Sequence, residues 1–474
     1  MLGSQNIINS NFLIEKNNKK SNQENYIKEV NQKAGKVIAS GGFGCIFKPE
    51  LKCSKNETIY SNKNEKRNPN KVSKLMINKY AIDEYKLIQK FKSILKSIPN
   101  YENYFLLNGF TLCKPNQLTK EDLINYKTKC KALKKKNITQ KNINQSLDKI
   151  LSINMPNGGI DVENYIEKNE FVSLNIIKLN NSLIDLLKNG IVPMNEMNVY
   201  HCDIKDANVL VLQNNDFKTR LIDWGLSIYY RNELNDTKPI PRKLYRRPFQ
   251  FNAPFSSILF NKEFVKKYQE FLSITDFNPD YFKIREFVIN YIFIWNDIRG
   301  PGHLNTINKI IKILTLKDLP DIKKRKIRDH VIEYDFTYYY IVEYISKILE
   351  KYTNFEERKF DLLAYFNNIF LKNIDIWGFT MIYITFVENL YNNFKILNLY
   401  QKELINKIKY IIIHFLYENP IEPINVNDLV VELTSLNKVI EKMGFIKYNK
   451  TNMTNKTYTG QWKTNKTRKR RSFI

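Results

Sequence analysis

Residues 36–51 (KVIASGGFGCIFKPEL) alternate apolar and polar positions around a cluster of glycines, the two-residue period of half-buried strands interrupted by a tight turn. The pattern predicts strand, turn, strand. Residues 71–77 (KVSKLMI) read as another strand, and residues 81–95 (AIDEYKLIQKFKSIL) carry apolar side chains at helical spacing. Residues 151–156 (LSINMP) read as a buried strand that stops at a Pro-Asn-Gly-Gly turn. Beyond Gly159 helical patterning dominates. The exception is residues 209–213 (VLVLQ) followed by 219–225 (TRLIDWG), which pattern as a hairpin between helices. Residues 1–33 are polar and aperiodic and read as a flexible arm; 52–70 reads as a loop and 127–141 as a solvated basic insertion. From about residue 445 the chain turns polar and basic and ends in KTRKRRSFI.

With 474 residues, 43% of them hydrophobic, the chain can bury a substantial core, which excludes a disordered protein. Lys and Arg outnumber Asp and Glu by 75 to 48, a formal net charge of +27, and such a field attracts polyanions. Lys, Asn and Ile are used heavily everywhere, so the excess reads first as a chain-wide compositional habit. The basic tail, residues 466–471, offers a contact for nucleic acid or acidic partners, against the plainer reading of a solvated terminus.

Five cysteines (Cys45, Cys53, Cys113, Cys130, Cys202) at irregular spacing, with four histidines in all, argue against a zinc site or a disulfide framework. The first 30 residues lack the pattern of a secretory signal. The longest apolar runs, such as 291–295 and 410–417, fall short of the ~18 residues that span a bilayer. The expectation is a soluble protein in a reducing compartment, without membrane attachment, its Asn-x-Thr triplets at Asn452, Asn455 and Asn465 unglycosylated.

Four stretches carry the chemistry of phosphoryl transfer, which asks a protein to grip polyphosphate, hold metal and orient a hydroxyl. The first is Ile38-Ala39-Ser40-Gly41-Gly42-Phe43-Gly44-Cys45-Ile46, where glycines let backbone N–H groups approach phosphates closely. The second is Lys74, ten residues before Glu84 on the predicted helix; a strand lysine would neutralise phosphate oxygens and a helical carboxylate would fix it, with Lys71 a rival for the same role. The third is His201-Cys202-Asp203-Ile204-Lys205-Asp206-Ala207-Asn208, leading into an apolar strand. Here Asp203 can orient or accept from a hydroxyl, Lys205 can balance charge on the transferring phosphate, and Asn208 can bind metal. The fourth is Leu221-Ile222-Asp223-Trp224-Gly225, an Asp leaving an apolar strand that can present a carboxylate to Mg²⁺. It follows Asp203 by 20 residues (223 minus 203), a distance that one hairpin closes.

Together these stretches resemble the signature set of the protein kinases, Ser/Thr type. Met155 to Asp161 resembles the hinge and the polar residue that meets the ribose, Phe251-Asn252-Ala253-Pro254-Phe255 resembles the end of an activation segment, and Asp375-Ile376-Trp377-Gly378 resembles the helix that anchors the catalytic loop. The resemblance implies an α+β, bilobal protein-kinase-like fold: a small β-rich N-lobe (34–157, with basic insertions) and a large helical C-lobe (158–444) carrying a long helical insertion at about 256–370. An arm (1–33) and a basic tail (445–474) would flank it. It further implies ATP with Mg²⁺ or Mn²⁺ and protein substrates bearing Ser or Thr. Asp203 would be the base and Lys205 the phosphate-side lysine, with Asn208 and Asp223 the metal ligands. The nucleotide would meet the glycine stretch, Lys74 with Glu84, and Asp161.

The departures from that pattern carry information too. Ala39 stands where the first glycine is usual, Cys202 where an arginine clamps a phosphorylated segment, Trp224 for phenylalanine and Phe255 for glutamate. Cys202 leads us to expect activity without segment phosphorylation. Between Pro254 and Asp375 lie 121 positions (375 minus 254), which a largely helical insertion must fill. Asp-Trp-Gly, the Asn-x-Pro-Phe segment, this insertion and the Lys/Asn/Ile-rich composition resemble the serine/threonine kinases of large nucleocytoplasmic DNA viruses, implying residence in host cytoplasm or virion. Two other readings are a small-molecule phosphotransferase of the aminoglycoside or choline kinase type, disfavoured by Lys205, Phe43 and the Asp375 motif, and a catalytically silent scaffold, disfavoured by intact Lys74, Asp203, Asn208 and Asp223. Arg242, Lys243, Arg246 and Arg247 make the segment before Pro254 basic, which points to acidic residues near the acceptor hydroxyl.

Overall fold

The computed structural model describes residues 35–54, 68, 70–169, 171–213, 217–231, 239–275, 279–315, 329–394 and 396–443. The expected arm, the basic tail and its Asn-x-Thr triplets, and most of the 52–70 stretch lie outside them. The architecture is mixed α+β, with a small antiparallel sheet in the N-terminal part and a mostly helical remainder.

Five strands, β1 (Lys36–Ser40), β2 (Gly44–Lys48), β3 (Lys71–Ile77), β4 (Thr111–Cys113) and β5 (Ile150–Pro156), make that sheet in the order β1-β2-β3-β5-β4. The central β3 is buried from Val72 to Met76, as expected of a strand paired on both sides. Helix α1 (Asn78–Leu95) follows it directly and buries Ala81, Glu84, Ile88, Phe91 and Leu95. That three-to-four-residue spacing is one helical stripe, and Glu84 holds an apolar position on it.

Two sequence expectations are corrected here. Residues 127–141 are not simply a solvated insertion: Cys130, Ala132, Leu133 and Ile138 are buried with Val37, Phe47 and Tyr126 in a second small core, while the lysines between them point outward. Apolar residues one in three or four had been masked by that lysine density. The expected lack of a disulfide framework is also overturned, since Cys45 joins Cys130 and Cys53 joins Cys113. The partners are 85 and 60 residues apart, so no local spacing announces them; the sheet and its covering loops bring them together. Cys202 is free and buried.

Past the sheet, β6 (Ile160–Asp161) pairs with β8 (Val209–Leu212), which forms the expected hairpin with β9 (Lys218–Leu221), and β7 (Val199–Tyr200) pairs with β10 (Ile228–Tyr229). Helices α2 (Val162–Lys168) and α3 (Ser173–Asp185) lie between β6 and β7. The span between Pro254 and Asp375 is filled by α4 (Lys262–Ile274), α5 (Tyr281–Arg299), α6 (Leu304–Thr315) and α7 (Asp329–Tyr352). Then come α8 (Leu371–Thr380), α9 (Ile384–Asn393), α10 (Leu399–Ile412) and α11 (Val426–Lys442). Their core is continuous and rich in fully buried rings, Trp295, Tyr344, Tyr365, Trp377 and Tyr383 among them. The apolar-run estimate also needs revision: the helical stretch Leu362–Asn393 is long and apolar enough to cross a membrane, yet 94% of its apolar window is buried inside the protein.

Candidate active site

The loop after β7 is built around a buried carboxylate. Asp375, on α8, accepts the backbone N–H of His201 at 2.7 Å through one oxygen and that of Cys202 at 2.8 Å through the other. With its amide nitrogen turned toward Asp375, Asn195 adds a third donor at 2.9 Å. Burial pushes the Asp375 carboxyl up to about 7, and the Cys202 and His201 N–H groups and the Arg247 charge act against that rise. Cys202 adopts a φ of 60°, so the chain turns sharply just before Asp203. Gly378, one turn beyond Asp375, permits this approach, since a Cβ there would lie 2.6 Å from the Ile204 carbonyl.

Asp203 is 8% exposed, and its carboxylate is gripped on both oxygens. Oδ2 accepts Lys205 Nζ at 2.8 Å and Asn208 Nδ2 at 3.0 Å; Oδ1 accepts Asn252 Nδ2 at 2.9 Å. Asn208 also donates to the Asp203 carbonyl (2.7 Å), and its own carbonyl receives the Ile222 N–H (3.0 Å). That last bond ties the Asp203 loop to the end of the hairpin, where Asp223 has a φ of 66°.

Asp223 meets the sheet through Lys74. The Lys74 ammonium donates to Glu84 at 2.7 and 2.9 Å and to Asp223 Oδ1 at 2.9 Å. Burial alone would lower the lysine; the carboxylates of Asp223 and Glu84 outweigh it and hold Lys74 above its usual range, while Lys74 holds Asp223 low. Of the two lysines left open by sequence, Lys74 is the one that joins these carboxylates; Lys71 sits half-buried at the start of β3. Ile46 pairs across from Lys74 in the β2–β3 register. Behind Asp223, Trp224 packs against Phe91 of α1, Phe105 and His201, with ring centroids 5.5, 5.7 and 5.0 Å apart. The buried imidazole of His201 is held below its ordinary pKa by desolvation.

The glycine stretch forms the turn between β1 and β2, closed by the Gly41 N–H on the Gly44 carbonyl (3.0 Å), with a bulge between Val37 and Ala39 at Ile38. Its glycines serve two ends. A Cβ on Gly44 would strike Met76 at 2.6 Å, so sheet packing requires it. A Cβ on Gly42 would meet nothing within 4 Å, and one on Gly41 would reach only Asp223 Oδ2 at 4.0 Å. A side chain on Gly42 would thus face free space, while Gly41 lies across from the Asp223 carboxylate with no side chain of its own between them. Ser40 faces elsewhere: its Oγ accepts the N–H groups of Lys131 and Ala132 at 3.2 and 3.1 Å. Phe43 is exposed and packs on Tyr80 (5.2 Å).

Asp161 has a structural occupation. It caps α2, accepting the Asn164 N–H at 2.9 Å, and both its oxygens receive the Asn164 amide. Asn208 and Asp223 would offer an amide oxygen and a carboxylate to a hard cation; among the described residues no group of three or more His, Cys, Asp and Glu gathers to hold a metal, at this site or any other. A cavity of about 510 Å³ between α4 and α5 shares no residue with this site.

Two site residues escape the spacing argument, Asn252 and Arg247. Asn252 has only its place two residues before Pro254 as a signal, yet it donates to Asp203. Of the four basic residues near it, Arg247 is buried while Arg242, Lys243 and Arg246 are exposed, Lys243 giving its ammonium to the Gly225 and Ser227 carbonyls (3.0 and 3.1 Å).

No protein-family model matches this chain, and no curated protein matches it. The functional reading therefore stands on the site itself.

Proposed function

We propose that the chain is a protein serine/threonine kinase of bilobal protein-kinase fold, transferring the γ-phosphoryl group of ATP to Ser or Thr hydroxyls. The observation that carries the reading is the meeting of three of the four separated stretches in one place: Lys74 bridges Glu84 and Asp223, and Asp223 is tied through Ile222 and Asn208 to Asp203. No single motif requires that convergence; phosphoryl transfer requires all of it.

In this reading Asp203 orients the acceptor hydroxyl and takes its proton as the new O–P bond forms and ADP leaves. Lys205, on the same carboxylate, neutralises charge on the transferring group. Lys74, locked by Glu84, meets the α- and β-phosphates, and the backbone of Gly41 and Gly42 covers the phosphate chain. Asn208 and Asp223 would hold Mg²⁺ or Mn²⁺, which supplies charge neutralisation between phosphate oxygens. Asp161 would meet the ribose by exchanging its Asn164 amide contacts while remaining the helix cap. The viral resemblance extends the proposal to a kinase of host cytoplasm or virion, not bound to membrane, whose basic tail contacts nucleic acid or acidic partners.

The test is transfer of labelled γ-phosphate, with Mg²⁺ or Mn²⁺, to the protein itself and to mixed protein substrates. Asp203→Asn should cost about 10²- to 10⁴-fold in kcat, and phosphoserine or phosphothreonine should appear in the wild-type product. Transfer to small hydroxylated metabolites alone, or ATP binding without transfer, would sink the reading.

A further inference from the structure

Cys202 occupies the sharp turn before Asp203, and both of its peptide groups are held from outside the loop. Its N–H goes to Asp375 at 2.8 Å. Its carbonyl accepts Nη1 of Arg247 at 2.9 Å, from a residue 45 positions further on that is 6% exposed. The same guanidinium donates through Nε to the Lys243 carbonyl (3.1 Å) and reaches Gln250 Oε1 (3.4 Å). One rigid fork therefore spans the Asp203 loop and the segment leading to Asn252, which a lysine's point charge cannot do. Nη2 of Arg247 is buried without a partner, a desolvation cost the fold tolerates to keep the fork where it is.

The backbone that carries Arg247 is itself gripped by the helices between Pro254 and Asp375. Trp295 Nε1 on α5 donates to the Arg247 carbonyl (3.2 Å), Arg299 Nε to that of Arg246 (2.7 Å), and the His303 N–H, just ahead of α6, to that of Phe249 (2.8 Å). Trp377 Nε1 on α8 takes the Phe251 carbonyl (3.1 Å). The four contacts hold the carbonyls of Arg246, Arg247, Phe249 and Phe251, and three of them come from the insertion, which thus acts as a clamp with Arg247 at its tip.

We infer that Arg247 is a positioning residue: by holding the Cys202 carbonyl it fixes the peptide preceding Asp203, and it couples the α5–α6 clamp to the reacting carboxylate without any phosphate on the segment. The inference rests on the kinase reading for its kinetic consequences alone; the loop geometry it predicts is measurable without turnover.

The experiment uses full-length Arg247→Lys and Trp295→Phe, with exposed Arg242→Ala as control, and follows amide hydrogen exchange of peptides covering residues 199–209 beside steady-state transfer. In Arg247→Lys those amides should exchange about tenfold faster or more, the equilibrium worth of a hydrogen bond to a charged group. Trp295→Phe should give a smaller change of the same kind, and Arg242→Ala none. kcat should fall by a similar factor in Arg247→Lys with KM for ATP unchanged, and phosphatase treatment of the wild type should leave its rate as it was. Equal protection of the loop in Arg247→Lys and wild type overturns the inference, as does a raised KM for ATP at unchanged kcat. If the wild type transfers no phosphate, the kinase reading fails while hydrogen exchange still decides the role of Arg247.

Discussion

The N-terminal sheet and the helical remainder are held together by different means. The sheet has a core split into small clusters, one of them only thirteen buried residues, and it adds two disulfides that cross-link its strands to covering loops. The helical part has no such staple; its core is one continuous cluster of aliphatic and aromatic side chains, which also takes in Ile88, Phe91 and Leu95 of α1. A small sheet flanked by lysine-rich loops cannot bury enough apolar area to match that. The residues of the candidate site divide along the same line, with Lys74 and Glu84 on the sheet side and Asp203, Asn208 and Asp223 on the other. The 2.9 Å contact of Lys74 with Asp223 joins them.

That contrast can be broken from either side. The largest effect should come from Trp377→Ala. This ring packs against Phe255, Tyr344 and Tyr417 and donates to the Phe251 carbonyl, so its removal should cost about 3–5 kcal/mol, read by urea unfolding followed by helical circular dichroism. A loss under 1 kcal/mol would mean that the helical core is not the principal store of stability. Reduction of the disulfides should cost about 2–4 kcal/mol each and should be confined to the sheet. Hydrogen exchange with a dithiol reductant should therefore quicken in β1, β2 and β4 and leave α8 and α9 protected. Equal loosening of both parts would erase the distinction.

The smallest effect is a pH dependence centred on His201. Burial keeps this imidazole neutral, below its ordinary 6.5. As pH falls through 6.5 the unfolded chain takes up a proton that the folded one refuses until lower pH, so the stability this group leaves intact above 6.5 is lost below it. Melting temperature should drop between pH 7 and pH 5, and less so in His201→Asn. An identical drop in both would assign the acid sensitivity to other groups.

Much of this was legible in the chain. The strand at 71–77, the helix reaching Leu95, the strand ending at Pro156 and the hairpin before Asp223 follow from periodicity, because each has one wet and one dry face or a single buried run. Glu84 was legible only as an acid ten residues after Lys74 on a predicted helix, and its place on the buried stripe emerges from the fold. Tertiary pairing was not legible: Cys45 and Cys130 carry no local signature, and the buried face of 127–141 hides among its lysines. Arg247 reads as one more surface cation, since nothing in RKLYRRP distinguishes the arginine that turns inward. Its role is set by a carbonyl 45 positions away.

The glycine turn is anchored on its outer side twice, by Cys45 to Cys130 and by Ser40 to the backbone of Lys131 and Ala132. Between those anchors only Gly41, Gly42, Phe43 and Gly44 remain, and Gly44 is wedged against Met76. In the kinase reading, the segment that would meet the phosphates is thus three residues on a fixed rim. Ordering three residues costs about 1–2 kcal/mol of backbone entropy each, far less than immobilising a whole hairpin.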